Sequence, residues 1–428
     1  MLRSLEPFEV PTGAAVLDLM PRLADALAGA GPALLPVPAA DPRAADILIR
    51  ALAAGHPLAP GEDDDADPTA FVVATSGSTG SPKGALLPTS ALLASARSTR
   101  TFLAGDDPRP AHWLLALPVH HVAGLQVLQR SLVEGTTPTV LDTSTSFTAA
   151  RFAAAAHATP GPIRFVSLVP TQLQRVLTDA EATAALAGFD AALIGGAPAP
   201  PSLLSRAAEA GIRVVTTYGM SETCGGCLYD GRPLDGVKVT TDRFGRLALA
   251  GPVVARGYRR RPGDTAFDID EAGRRRFRTD DIGEFVGADP DGDRGAGRWR
   301  VVGRADDVLI TGGVKVAPAA VEATLAAVPG VADVVLTGVP DAEWGQLLVA
   351  VIVPARAGRP AAGSPDPDAL RATVGGVHGA AATPRVVVLV DEIPLRGPGK
   401  PDRAAIRALA RDAVSGHPSP TVDLRTVR

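Results

Sequence analysis

Lysine is nearly missing from this 428-residue chain, which has four against 38 arginines. Cysteine is scarcer still: Cys224 and Cys227 are the only two, which excludes a disulfide framework and leaves too few sulfur ligands for a Cys-based structural zinc site. No stretch approaches the roughly 18 apolar residues that a membrane-spanning helix needs. The start, Met1-Leu-Arg-Ser-Leu-Glu-Pro-Phe-Glu9, lacks the charged-then-apolar order of a secretory signal, so a cytosolic protein is expected. Basic excess is also absent. A formal charge of −4 and a pI near 6.0, with both signs mixed along the chain, leave no basic stripe for nucleic acid. Small-molecule partners are expected instead.

What is present is organised. The length suits one large domain plus a smaller one. Short apolar runs, Ala70–Ala74, Trp113–Leu117, Arg164–Val169, Ala191–Ile194 and Arg213–Thr217, read as strands and alternate with helical stretches such as Leu203–Ala210. That alternation predicts an α/β fold with a mostly parallel, doubly wound sheet. From about 228 to 302 glycine-separated strands predict a β-rich subdomain, and from Asp307 onward a separate α+β unit is expected. Pro57–Pro68 is a polar, proline-punctuated link, and breaks at 287–297 and 354–367 read as surface loops.

The scarce lysines sit in notable company. Where any positive charge would do, this composition supplies arginine, so a retained lysine suggests a need for a compact ammonium. Three of the four lie in glycine-bearing motifs: Thr75-Ser-Gly-Ser-Thr-Gly-Ser-Pro-Lys83-Gly84, Gly312-Gly-Val-Lys315 and Gly397-Pro-Gly-Lys400. The first follows a strand; its glycines, hydroxyls and cation together suit a phosphate cradle, although it is not a Walker A loop.

That loop resembles the phosphate-binding signature of the adenylate-forming superfamily of acyl-CoA ligases, adenylation domains and luciferases. Tyr218-Gly-Met-Ser-Glu222-Thr223, Arg278-Thr-Asp-Asp281, Gly303-Arg304-Ala-Asp306 and Pro394-Leu-Arg-Gly-Pro-Gly-Lys400 are similar to its further motifs and stand in its order, over about residues 70–406. The resemblance implies an ATP- and acid-binding N-terminal domain, 1–303, a hinge, 304–306, pivoting on Asp306, and a mobile C-terminal α+β domain, 307–428. It implies ATP, Mg²⁺ and coenzyme A as cofactor and co-substrates.

The resemblance also assigns roles. Thr75, Ser76, Gly77, Ser78, Thr79, Gly80 and Lys83 would hold phosphates; Glu222 would ligate Mg²⁺; Thr75 and Thr223 would bond phosphate oxygens. Gly196, Ala197 and Pro198 would face Tyr218 and Gly219 across the adenine, with Asp281 and Arg304 on the ribose. Lys400 would bridge carboxylate and α-phosphate during adenylation, with Glu222, Thr223 and His121 as its companions in catalysis. Gly312, Gly313 and Lys315 would line the channel for the pantetheine arm, Lys315 being equally readable as a solvated strand-edge residue. The chain departs from the pattern at Asp280, where the family has glycine. Either Asp280 points away from the nucleotide or it affects ATP affinity.

For the acid, Leu117-Pro-Val-His-His121-Val-Ala-Gly124 and Val169-Pro-Thr-Gln-Leu-Gln-Arg175 are similar to the pocket segments of the superfamily's 2-succinylbenzoate-activating CoA ligases, as are the short N-terminal region and Cys224-Gly-Gly-Cys227. This branch belongs to menaquinone biosynthesis. The resemblance implies 2-succinylbenzoate as substrate, with His121, Gly124, Arg175, Gly196 and Ser221 around it and a cation for its second carboxylate. Arg175 reads equally as a structural ion-pair partner, and His121 also as a packed histidine. The Cys pair is read as a wall of small residues, with a redox switch as the lesser alternative. Another acyl- or aryl-CoA ligase, or a nucleotide-binding paralogue without turnover, are the rival readings.

Overall fold

The computed structural model describes residues 3–75, 82–287, 297–355, 365–395 and 401–415, and the backbone of 423–426. Strands β1 (Leu5–Val10), β2 (Ala33–Pro38), β3 (Thr69–Thr75) and β4 (Lys83–Pro88) form the first sheet in that order. β1 to β3 are parallel and β4 returns as a hairpin.

The second sheet takes β5 (Ala111–Leu115), β6 (Thr139–Val140), β7 (Ile163–Leu168), β8 (Ala191–Ile194), β9 (Val214–Met220), β10 (Gly225–Tyr229) and β11 (Arg232–Pro233), in the order β11-β10-β9-β8-β7-β5-β6. Its five central and edge strands β5 to β9 are parallel, as the alternation of runs requires. Helices cover both faces, so successive residues enter different cores: Trp113 and Leu115 pack into one, Leu114 into the other. A strand buried on both sides must be apolar throughout, and β8, Ala-Ala-Leu-Ile, is.

The third sheet is antiparallel: β12 (Lys238–Thr241), β13 (Arg246–Ala250), β14 (Phe267–Ile269), β15 (Arg275–Gly287) and β16 (Arg298–Arg304). It begins at Lys238, because the strands from 225 to 233 extend the parallel sheet instead. Beyond it come the hairpin β17 (Leu309–Thr311) and β18 (Val314–Val316), then a sheet of β19 (Val331–Asp341), β20 (Gly345–Pro354), β21 (Val386–Leu389) and β22 (Asp423–Thr426). Val334 and Leu336 serve a core on one face of this last sheet, Val335 and Val339 one on the other. No helix among the described residues is long and apolar enough to cross a membrane.

The link at 57–68 does more than its composition suggests. Glu62 is 6% exposed and pairs with Arg259, itself 4% exposed, while Arg259 Nε and Nη2 donate to Leu52 O at 3.1 Å and Pro57 O at 3.0 Å. Asp63 meets Arg3, and Asp67 meets Ser90 and, at 3.0 Å, Arg275. Burial pushes both aspartates up, but hydrogen bonds from Arg3 and Thr69 to the first, and from Ser90 and Arg275 to the second, more than offset it and hold them below the usual carboxylate range. The link is a strap, drawn inward by its acids.

Candidate active site

Parallel strands end on a common edge, and in open α/β sheets ligands bind outside those carboxyl ends. There β5 leads to Pro118–His121, β8 to Gly195–Pro198 and β9 to Ser221–Thr223. The β3–β4 hairpin brings Thr75 opposite Lys83. Ser76, Gly77, Ser78, Thr79 and Gly80 between them lie outside the described residues, as does Lys400.

Residues 255–259 run along β4: Leu86 N donates to Gly257 O at 2.9 Å, Arg256 N to Leu86 O at 2.8 Å and Arg259 N to Gly84 O at 2.7 Å. Ala255 N reaches Glu222 O at 2.9 Å. These bonds gather three side chains. The Tyr258 hydroxyl donates to Glu222 Oε1 at 2.6 Å, and Lys83 Nζ stands 4.8 Å from the centre of the Tyr258 ring. Glu222 is 6% exposed. Burial, then the Glu222 charge, raise the Tyr258 pKa, so the phenol stays a donor. Local pattern did not single out Tyr258; the run Ala255-Arg-Gly-Tyr258, an aromatic after glycine in a chain with three tyrosines, was the available signal.

A second group forms where β9 meets β15. The Tyr218 hydroxyl donates to Asp281 Oδ2 at 2.6 Å, and Arg304 Nη1 donates to Oδ1 at 2.9 Å. Asp281 and Arg304 are cross-strand partners on β15 and β16. Arg304 also grips Asp306 through Nε and Nη2, both at 2.8 Å. Burial opposes the guanidinium charge, but Asp306 and Asp281 outweigh it and its pKa is raised. The adjoining turn requires glycine: a Cβ on Gly195 would fall 2.1 Å from Thr217 Oγ1, and Gly196 has φ +81°. A Cβ on Gly219 would meet Gly225 O at 2.1 Å.

Asp280 points outward, as alternation along a strand dictates. Its carboxylate is 54% exposed and lies 3.9 Å from both Arg246 and Arg304. Exposed pairs contribute roughly 0–1 kcal/mol, so Asp280→Gly is expected to change the KM for ATP by less than about fivefold. The ATP dependence of pyrophosphate exchange measures this, and a larger rise would give Asp280 a direct part in nucleotide binding.

The remaining expected residues lie on flanking turns and helices. Thr223 is fully buried; its hydroxyl donates to Gly225 O at 2.7 Å and accepts from Met220 N at 3.0 Å. It caps its own turn. Gly124 is a packing position, because a Cβ there would sit 2.3 Å from Pro118 O. Arg175 is exposed on the last turn of helix Pro170–Val176, with Nη1 donating to Phe147 O at 3.3 Å. His121 stands at the N-cap position of helix Val122–Glu134, its ring 4.3 Å from that of His120; burial lowers the His120 pKa. Ser221 is buried beside Glu222.

Cys224 and Cys227 are both buried, in different cores. Burial raises both thiols, that of Cys227 to about 12, which makes thiolate redox chemistry unfavourable. Gly312 and Gly313, with φ of +54° and +79°, turn the β17–β18 hairpin, on which Lys315 is exposed. Gly312 N donates to Trp344 O at 2.9 Å. Among the described residues no group of three or more His, Cys, Asp or Glu could hold a metal.

Comparison with known proteins bears on this arrangement. Residues 36–257 match the AMP-binding enzyme family and 320–400 the AMP-binding enzyme C-terminal domain. The chain is 43% identical over 412 residues to a probable 2-succinylbenzoate–CoA ligase of Mycobacterium tuberculosis, covering 96% of this chain and 100% of that protein. It is 31% identical over 425 residues to a feruloyl-CoA synthase of an Amycolatopsis species, covering 92% and 79%. Among solved structures it is similar to the o-succinylbenzoate CoA synthetase of Bacillus subtilis in complex with the acyl-adenylate intermediate OSB-AMP. That match has a TM-score of 0.63 and 26% identity, covering 80% of this chain and 69% of that one.

Proposed function

This chain belongs to the AMP-binding enzyme family, and on that premise we propose that it is an ATP-dependent, AMP-forming acid:CoA ligase whose acid is 2-succinylbenzoate. The observation that carries the reading is the likeness to a ligase of that name along the whole of its length. In the first half-reaction a carboxylate oxygen bonds to the α-phosphorus of ATP, and the bond to the bridging oxygen breaks as pyrophosphate leaves. In the second, the CoA thiolate bonds to the acyl carbon and AMP departs. The chain works in the cytoplasm in this reading.

Bringing a carboxylate to a triphosphate sets like charges together, so the site must supply fixed positive charge and donors. Thr75, Lys83 and the loop between them hold the phosphates. The cluster of Tyr218, Asp281 and Arg304 suits a ribose, because an ionised carboxylate accepts from both hydroxyls. Gly196, Ala197 and Pro198 flank the adenine opposite Tyr218. Mg²⁺ fits here through one carboxylate, Glu222, since this ion commonly takes one or two carboxylates and completes its shell with substrate phosphates and water. When bound it supplies charge neutralisation. His121, Ser221 and Gly196 border the acid.

Lys400 meets the reacting carboxylate and α-phosphate, and rotation at Asp306 then exchanges it for the hairpin of Gly312, Gly313 and Lys315, which admits the pantetheine arm. Arg175 meets the second carboxylate of the acid. Arg175→Ala is therefore expected to raise the KM for 2-succinylbenzoate about tenfold, the scale of a charged hydrogen bond, with the KM for ATP unchanged. An unchanged acid KM removes Arg175 from the pocket.

The deciding experiment is acid-dependent ATP/pyrophosphate exchange with 2-succinylbenzoate, ferulate, benzoate and a medium-chain fatty acid, followed by CoA. Exchange and thioester with 2-succinylbenzoate alone are expected. Preference for ferulate would support the second reading that the 31% identity to feruloyl-CoA synthase favours. ATP binding without exchange for any acid would favour a nucleotide-binding protein without turnover.

A further inference from the structure

Tyr258 touches two groups of opposite charge with two different parts of its side chain. Its hydroxyl donates to Glu222 Oε1 at 2.6 Å, and the face of its ring lies 4.8 Å from Lys83 Nζ. The ring is itself held edge-on against Phe267 at 5.0 Å and Phe277 at 6.5 Å. Its backbone is held in a bridge to Ala85, two residues from Lys83. A carboxylate 6% exposed needs donors to stay ionised, and a flexible lysine loses less order on binding if its ammonium is already drawn to one place. The fixed phenol meets the first need through its O–H and the second through its π-face.

We infer that Tyr258 is a positioning residue that sets the metal-binding carboxylate Glu222 and the phosphate-binding ammonium Lys83 in register, the first through its hydroxyl and the second through its ring. The inference rests on the roles proposed above for those two residues. It also explains why Tyr258 is bound on both sides, to β4 and to the turn after β9: it is where the phosphate loop and the carboxylate are measured against each other. Because the two contacts use different atoms, they separate by substitution. Tyr258→Phe keeps the ring and removes the O–H; Tyr258→Leu removes both.

The test is equilibrium binding of a non-hydrolysable ATP analogue by calorimetry, with and without Mg²⁺, on the full chain. For wild type, Mg²⁺ should tighten binding. In Tyr258→Phe that Mg²⁺-dependent gain should shrink about tenfold, the scale of one hydrogen bond to a charge, while Mg²⁺-free binding stays as in wild type. In Tyr258→Leu, Mg²⁺-free binding should also weaken, by about threefold or more, as loss of a cation–π contact predicts. In a Glu222→Gln background Tyr258→Phe should cost no further Mg²⁺ gain. Tyr258→Phe with the full wild-type gain overturns the inference, as does Mg²⁺-free binding equal in the Phe and Leu variants. Thermal midpoints of both variants identify any Leu result that reflects unfolding, and the Phe variant then decides alone. Wild type that gains nothing from Mg²⁺ would instead overturn the proposed role of Glu222, and the inference with it.

Discussion

Lys400→Ala is expected to lower acid-dependent ATP/pyrophosphate exchange by about 10²- to 10³-fold, the range seen when one preorganised transition-state donor is removed. Thioester formation from supplied 2-succinylbenzoyl-AMP and CoA should remain within a few-fold of wild type. The asymmetry follows from the chemistry. Only the first half-reaction builds a phosphorus centre bearing an incoming carboxylate and a departing pyrophosphate, and only that centre needs a mobile ammonium of small size. The flanks of the segment carrying Lys400 are pinned: Leu395 bridges to Pro401, and Asp402 N donates to Pro394 O at 2.8 Å. A rapid-quench assay of each half-reaction measures the effect. Equal loss of both steps would mean that Lys400 acts on the fold or on CoA instead, and Lys400→Arg would then rescue where a mere charge suffices.

The second large effect is on stability. Arg259→Ala leaves Glu62, 6% exposed, without its guanidinium partner, and an unpaired buried charge costs about 3–5 kcal/mol. The same change frees the carbonyls of Leu52 and Pro57 that Arg259 satisfies. A fall in the thermal midpoint and in the urea midpoint is expected. The double change Glu62→Leu with Arg259→Met should recover part of the loss, since a well-packed apolar pair can replace a buried ion pair at little cost. Arg259 adjoins Tyr258, so the single variant should also weaken binding of the nucleotide analogue in Mg²⁺, at temperatures where it remains folded. A midpoint unchanged within error would show that water reaches Glu62 in solution.

Much of the scaffold was legible because its signals are local. The apolar runs at 70–74, 164–169 and 191–194 became β3, β7 and β8, since a strand buried on both faces has few other compositions open to it. Gly219 stands in a motif, and the structure gives the reason in close backbone approach. What escaped depends on turn geometry or on partners remote in sequence. Thr223 sits in a motif of phosphate-site residues, and its hydroxyl bonds to Met220 and Gly225. Nothing in the local pattern distinguishes a hydroxyl that faces a ligand from one that caps its own turn. Gly124 serves the Pro118 carbonyl. The acid-rich strap reads only as a polar link until Arg259, 197 residues away, is brought beside it. Nothing beside Tyr258 in sequence marks its role, because both its partners, Lys83 and Glu222, arrive from elsewhere in the chain.

That strap also sets a timetable. The first sheet and its hairpin consist of residues up to Pro88, yet the segment that lies along β4 and neutralises Glu62 is 255–259. On a ribosome adding about 5–20 residues per second, the early sheet emerges roughly 8–33 s before its closing segment. Through that interval β4 presents an open edge and Glu62 a charge without its partner. The finished sheet is therefore a late event in the life of the nascent chain, and a pause in synthesis shortly before residue 255 would lengthen the period in which a stray strand can pair with that edge.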